Sequence, residues 1–214
     1  MKQRLKIAGI VGVVLLSASV VQAGVVTNVW SGNLSSDAGN NNNWTGFQSP
    51  DGFATTPDVN GDTHIGIIDT DGVNAPVVSW GGQINNTVLE VNNTATLAQT
   101  VATLNAIGLT VVLNDSAVYN AAGNTMIWGQ NAGNASTLTL NDTASLSAGI
   151  LQVGKTSQGI FNQNGGAVAL TGNLQMGNGG GSSKSRYNLA AGTVIVTAGT
   201  LSIGATDAGA DDGT

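Results

Sequence analysis

The chain has 214 residues, a formal net charge of −6 and no cysteine, and only 8% of its residues are charged. An acidic chain with so few Lys and Arg side chains cannot cluster positive charge, which excludes nucleic acid and anionic lipid surfaces as partners. Without disulfides, the stability of the fold has to come from buried apolar area and backbone hydrogen bonds.

The N-terminal residues predict export. Three basic residues among the first six precede an apolar run from Ile7 to Val21, and Ala23 follows it. This order is typical of a secretory signal peptide over residues 1–23 that is cleaved after Ala23. A transmembrane anchor is disfavoured because a spanning helix needs roughly 20 apolar residues. We therefore expect a secreted or cell-surface protein that is not inserted in the membrane after cleavage.

Residues 24–88 contain no repeat and hold three of the 4 tryptophans, Trp30, Trp44 and Trp80. Because the open strand edges at the end of a repeat array are normally covered, we predict that this segment is an N-terminal cap. Packing inside the cap is the favoured role of the three tryptophans. Their large apolar ring faces also suit sugar rings, so the same residues are candidate carbohydrate-binding residues.

Residues 89–214 contain about five copies of one pattern, spaced roughly 22 to 27 residues apart. The segments that start at Leu89, Val111 and Leu138 align without gaps, and weaker copies start at Phe161 and Tyr187. Self-similarity at this period, with apolar residues at alternate positions, is typical of an all-β solenoid. We predict a right-handed parallel β-helix. The last residues resemble a loop before another unit, so we expect truncation at the C-terminus.

Each unit contains a second predicted strand bounded by glycines. The clearest examples are Gly149–Gly154, Gly172–Gly177 and Gly199–Gly204. In each of them two apolar residues lie two positions apart and therefore share one face of a strand. Two or three short strands per unit fit the coils of a parallel β-helix.

An asparagine follows the first strand of four successive units, at Asn92, Asn114, Asn141 and Asn164. Stacked coils bring these residues to equivalent positions. Side-chain amides in such columns hydrogen-bond along the stack, so we predict an asparagine ladder. Ala190 occupies the equivalent position of the fifth unit and ends the series.

Phrases in the repeats resemble those of a known protein family. The segments Phe161–Val168 and Tyr187–Val194 resemble its aromatic-x-x-x-G-G-T-V phrase, and Gly172–Gly177 resembles its G-x-L-x-V-G phrase. Val29–Gly32 and Asn42–Trp44 are similar to its W-x-G and N-W opening. The family comprises bacterial secreted β-strand-repeat proteins related to autotransporter passenger repeats, which often carry a sorting segment of the PEP-CTERM type.

The resemblance spans residues 29–214 and implies an exported β-helical surface protein of a kind that generally has no assigned activity. The chain departs from the family pattern at Ala190-Ala191, where one glycine of the usual pair is missing, and in showing no sorting segment. These phrases specify the fold better than they specify a function.

Asp115 and Asp142 are the strongest candidates for chemistry, because they occupy the same place in adjacent units. Paired carboxylates on a β-helix could cleave a glycoside or hold Ca²⁺ weakly. The favoured interpretation is that both residues form the turn after the first strand. The single histidine, His64, is a poor candidate for a catalytic triad, because no nucleophile motif accompanies it.

The sequence thus favours a structural or adhesin-like surface protein without catalytic activity or cofactor. Its expected partners are extracellular polysaccharide or other surface proteins. The alternative is a carbohydrate-active β-helix module that binds sugars through the tryptophans or cleaves them through Asp115 and Asp142.

Overall fold

A computed structural model describes residues 25–32, 44, 63–70, 75–78, 83–85, 87–130, 135–177 and 185–203. The predicted signal peptide, Trp80 and much of the predicted cap lie outside the described residues. Within those ranges the chain forms β-strands and no helix. Accordingly, this part of the protein contains no helix long and apolar enough to cross a membrane.

The strands are short and follow one another at close intervals. In chain order they are β1 (Val25–Val29), β2 (Thr63–Ile68), β3 (Val77–Val78), β4 (Gln83–Asn85), β5 (Thr87–Val91), β6 (Thr96–Gln99), β7 (Thr103–Ile107), β8 (Thr110–Leu113), β9 (Val118–Trp128), β10 (Ser136–Leu140), β11 (Ser145–Val153), β12 (Gly159–Gln163), β13 (Ala167–Leu170), β14 (Leu174–Met176), β15 (Arg186–Leu189), β16 (Thr193–Val196) and β17 (Leu201–Ile203).

Two parallel sheets wind along the molecule. The first has seven strands in the order β1-β2-β5-β8-β10-β12-β15. The second has 10 strands, with a main path β3-β6-β9-β11-β13-β16 and the branches β4-β7-β9 and β11-β14-β17. Neighbouring strands of a sheet come from successive turns of the chain, which is the topology of a β-solenoid. The predicted parallel β-helix is therefore confirmed, with five successive turns that begin at β5, β8, β10, β12 and β15.

The register of the first sheet confirms the predicted repeat alignment. Leu89 pairs with Val111, Val111 with Leu138, Leu138 with Phe161, and Phe161 with Tyr187. The repeated phrase spans a strand, a corner and a second strand, so each turn contains three strand segments rather than two. The two strands were combined in the sequence pattern because the polar corner between them is only about four residues long. The alternation of apolar residues resumes directly after it.

The glycine-bounded strands, predicted as the second strand of each unit, are instead the third strand segment of their turns. Leu151 pairs with Leu174, and Leu174 pairs with Leu201. In β9 and β11 the second and third segments join into one long strand, with an irregular register between Ala148 and Ile150.

The first sheet begins earlier in the chain than the repeat pattern does. Strand β2 pairs with β5 residue by residue, including Ile68 with Val91, and β1 pairs with β2. Parts of the segment predicted to be a cap therefore continue the stack. The sequence pattern is weak there because long connections separate β1, β2 and β5.

Inward side chains stack into columns that form one continuous core. Equivalent positions of successive turns carry buried, mainly apolar side chains, so each turn covers the apolar face of the turn before it. The first-strand, second-strand and third-strand columns contain Leu89, Val111, Leu138 and Phe161, then Leu97, Tyr119, Leu146 and Val168, then Leu104, Met126, Leu151 and Leu174, all 2% exposed or less. Phe161 and Tyr187 extend the first column as a parallel stack with ring centroids 4.6 Å apart.

Candidate functional site

A polar corner joins the first and second strands of each turn and contains the candidate carboxylates. We name it the first corner; it comprises residues 92–95, 114–117, 141–144, 164–166 and 190–192 in the five turns. In the first three of these corners the fourth residue, an alanine, donates its backbone N–H to the carbonyl oxygen of the first residue at 3.0 to 3.1 Å. The second residue, Asn93, Asp115 or Asp142, has a left-handed backbone with φ of 56°, 56° and 52°. Asn and Asp tolerate this conformation better than other non-glycine residues, which explains their recurrence.

The first residues of four corners form an amide ladder. Asn114 Nδ2 donates to Asn92 Oδ1 at 2.7 Å, Asn141 Nδ2 to Asn114 Oδ1 at 2.7 Å, and Asn164 Nδ2 to Asn141 Oδ1 at 2.8 Å. The predicted asparagine ladder is therefore confirmed. It stabilises the stack because each interior amide both donates and accepts between adjacent turns.

Asp69 begins the ladder, a role that the sequence did not reveal. Its Oδ1 accepts from Asn92 Nδ2 at 2.8 Å. Because a carboxylate oxygen is the acceptor at this end, Asn92 directs its Nδ2 toward Asp69, and the later amides of the ladder donate in the same direction. The signal was present, since Asp69 directly follows the last residue of β2 as Asn92 follows β5. The ladder stops at Asn164 because the side chain of Ala190 has no amide to continue it.

The carboxylates of Asp115 and Asp142 are hydrogen-bonded to the backbone of the preceding turn. Asn93 N donates to Asp115 Oδ2 at 3.1 Å, and Asp115 N donates to Asp142 Oδ2 at 3.2 Å. The two residues are neighbours, as predicted, and their geometry agrees with the favoured interpretation of a turn. In the part of the chain that the structure describes, no group of three or more His, Cys, Asp and Glu side chains is placed to hold a metal ion. Weak Ca²⁺ binding at Asp115 and Asp142 stays a prediction.

Trp30 and Trp44 lie together at the N-terminal end of the stack. Their rings make an edge-to-face contact with centroids 5.1 Å apart, and the two residues are 4% and 1% exposed. A sugar ring needs an open aromatic face, which neither tryptophan offers in this arrangement. Carbohydrate binding by Trp30 and Trp44 stays a prediction, and it requires a ring face of the pair to become exposed. Trp80 lies outside the described residues.

Two tyrosine–glutamine pairs, one buried at Tyr119 and one partly buried at Tyr187, were not predicted from the sequence. Tyr119 Oη donates to Gln99 Oε1 at 3.4 Å, and Gln99 Nε2 donates to the carbonyl oxygens of Val101 and Thr125 at 2.9 and 3.1 Å. Tyr187 Oη donates to Gln163 Oε1 in the same way. Burial raises the pKa of Tyr119, and it raises the pKa of Tyr187 to about 12, so both stay protonated at neutral pH. The sequence contained a signal for these pairs, because Gln163 occupies a repeat position at which the preceding turn has Leu140.

A polar column lies on the outer face of the first sheet. Asn188 Nδ2 donates to Asn162 Oδ1 at 2.7 Å, and Asn162 Nδ2 donates to Thr139 Oγ1 at 3.4 Å. We name these three residues the outer amide column. Successive strands of a sheet lie about 4.8 Å apart, so the column offers amide and hydroxyl groups at regular intervals along the stack.

His64 lies in β2, where its backbone is paired with Val26 and Thr87. This placement tests only the position of the residue in the sheet, so the prediction that it is not catalytic stays a prediction.

Comparisons of the chain with protein-family models, with curated proteins and with solved structures give no match.

Proposed function

We propose that this protein is an exported, non-catalytic, adhesin-like surface element. In this role the solenoid is a stiff rod whose outer polar columns contact extracellular polysaccharide or other surface proteins. The observation that carries the proposal is the first corner. Its amides and carboxylates are bonded to adjacent turns, so its polar groups hold the stack together.

Three further features support the rod. Every turn covers the apolar columns of its neighbour, the amide ladder runs from Asp69 to Asn164, and the backbone hydrogen bonds continue around the first corner. In such a stack each turn is stabilised by its contacts with the neighbouring turns, so these contacts support the rod along its length. Export is supported by the basic and apolar start of the chain, and a fusion of residues 1–23 to a periplasmic reporter enzyme tests it directly.

Binding by the outer amide column is tested with the purified protein on an array of bacterial polysaccharides. We expect saturable binding that is lost when both asparagines of the column are replaced, in the variant Asn162→Ala/Asn188→Ala. The matched control is Asn120→Ala, which removes an exposed amide from the second sheet. Equal binding by all three proteins would reject the outer amide column as the contact surface.

A carbohydrate-active module is the second candidate, and the adjacency of Asp115 and Asp142 is the observation that favours it. Replacement of both by Asn keeps a hydrogen-bond acceptor and the turn but removes the charge needed for acid–base chemistry. Under the rod hypothesis this variant binds as the wild type does, and neither protein shortens a polysaccharide. Depolymerisation by the wild type alone would favour the enzyme. Binding lost only on Trp30→Ala, in a folded variant, would favour the tryptophans.

A further inference from the structure

The amide of Asn164 ends the ladder and is held from one side only. Its Nδ2 donates to Asn141 Oδ1 at 2.8 Å, and its Oδ1 has no hydrogen-bond partner among the described residues, because Ala190 follows it in the column. Asn92, Asn114 and Asn141 each both donate and accept within the ladder. The side chain of Asn164 is also exposed. It is therefore released by breaking one ladder bond, whereas the other three amides each take part in two.

The residue after Asn164 is a glycine, and no other member of the ladder is followed by one. Glycine has no Cβ, so its backbone nitrogen approaches the preceding side chain without hindrance. In the described part of the chain the N–H of Gly165 donates no hydrogen bond. The equivalent nitrogens of Asn93 and Asp115 differ, because both donate to a carboxylate of the next turn. The Gly165 nitrogen can thus react without first giving up a hydrogen bond.

We propose that Asn164 is a site of spontaneous deamidation and that its conversion removes one donor from the amide ladder. The Gly165 nitrogen attacks Cγ of Asn164 and loses its proton, and the side-chain nitrogen leaves as ammonia. The new C–N bond closes a five-membered succinimide ring. Water then opens the ring at one of its two carbonyls, giving aspartate or iso-aspartate, and no oxidant or further reactant is needed.

Conversion of Asn164 leaves the ladder with an acceptor at each end. Asp69 accepts at the N-terminal end, and a carboxylate at position 164 accepts at the other. Three amides then lie between two carboxylates, and each of them donates to one neighbour along the ladder. Four contacts therefore have only three donors. Turning the amides round moves the contact that lacks a donor along the column but does not remove it, so the modification weakens the ladder as a whole.

Mass spectrometry of the purified protein, incubated in mildly alkaline buffer and mapped by peptide, tests the reactivity. We expect Asn164 to be converted to acid faster than the other three ladder asparagines. Ala190→Asn supplies a donor to Asn164 Oδ1 and should slow the conversion several-fold, whereas the matched variant Ala191→Asn should not. Conversion no faster at Asn164 than at Asn141, or a rate unchanged by Ala190→Asn, would overturn the proposal. The proposal goes beyond the proposed function and does not depend on it.

Urea denaturation of the variant Asn164→Asp tests the effect on the ladder. We expect a lower midpoint than in the wild type. Adding Asp69→Asn should restore part of the loss, because all the amides can then turn and supply the missing donor. The two positions are about 19 Å apart, four strand spacings of about 4.8 Å, so salt largely screens any direct effect of one charge on the other.

Glu90→Gln is the matched control for this restoration. Glu90 lies between the buried residues Leu89 and Val91 and so faces outward from the first sheet. Its replacement removes one negative charge without touching the ladder and should restore nothing. Equal restoration by Glu90→Gln and Asp69→Asn, or none by Asp69→Asn, would overturn the proposed effect on the ladder.

Discussion

The first corners change the direction of the chain between two strands in every described turn, but the earlier turns and the last two described turns use different residues for it. At residues 92–95, 114–117 and 141–144 the corner has four residues, and its left-handed position holds Asn93, Asp115 or Asp142. At residues 164–166 and 190–192 the corner has three residues, and the positive φ moves to Gly166 and Gly192, at 68° and 99°.

A difference of one residue in the length of the corner changes the way in which adjacent turns are joined. The longer corner leaves room for a side chain, and the carboxylates of Asp115 and Asp142 use that room to bind the backbone of the preceding turn. The shorter corner brings the backbones together instead. A Cβ added to Gly166 would lie 1.9 Å from the carbonyl oxygen of Ala144. Adjacent turns are thus joined by side-chain hydrogen bonds at the longer corners and by close backbone packing at the shorter ones.

The strongest test of this comparison is Gly166→Ala. We expect a loss of about 2–5 kcal/mol in the free energy of unfolding, the sum of about 1–2 for an alanine in the left-handed region and about 1–3 for overpacking. The measurement is urea denaturation followed by circular dichroism. Gly123→Ala is the matched control, because Gly123 also has a positive φ of 78° but its added Cβ meets nothing within 4 Å. If the two variants lost equal stability, close packing at the shorter corner would be refuted.

Replacing a central amide of the ladder should have the next largest effect. Asn141→Ala leaves Asn114 Oδ1 and Asn164 Nδ2 without their ladder partner, so we expect a loss of about 1–3 kcal/mol in unfolding free energy. Asn188→Ala is the control, since it ends the outer amide column at an exposed position and should cost under about 1 kcal/mol. An Asn141→Ala protein as stable as the wild type would show that the ladder contributes no stability.

Asp142→Gly isolates the carboxylate of the longer corner. Glycine keeps the left-handed backbone and removes the bond to Asp115 N, so we expect a loss of about 0.5–1.5 kcal/mol. Asp142→Ala should cost about 1 kcal/mol more, because alanine adds strain at the same φ. Hydrogen exchange of the Asp115 amide in the glycine variant supplies a local readout. Unchanged protection of that amide would argue against its bond to Asp142.

The smallest expected effect is an increase in the free energy of unfolding. Ala190→Asn places an amide above Asn164 and should extend the ladder by one turn, raising the unfolding free energy by about 0.5–1 kcal/mol. Ala191→Asn is the control, because residue 191 lies outside the ladder column and should gain nothing. Equal changes in the two variants would indicate that the ladder ends for a reason other than the missing amide.

Much of the fold and part of the candidate site could be predicted from the sequence. The recurrence of Leu89, Val111 and Leu138 predicted both the register and the asparagine ladder, because stacked turns convert sequence alignment into contact. The roles of Asp69 and Gln163 were not predicted, although a sequence signal existed for both, because each replaces the usual residue of its column. Burial of the tryptophans was the favoured interpretation, but the contact between Trp30 and Trp44 was not predicted, because these residues lie outside the repeats and have no periodic signal.

The periodicity of the sequence was sufficient to predict the solenoid, its parallel register and the column of asparagines. Three features became apparent only in the folded chain: the carboxylates bind the preceding backbone, Asp69 accepts from the first amide of the ladder, and the last described turn exposes core side chains. These features depend on distances between turns and on which surface the next layer covers. Neither quantity is contained in a local pattern of residues.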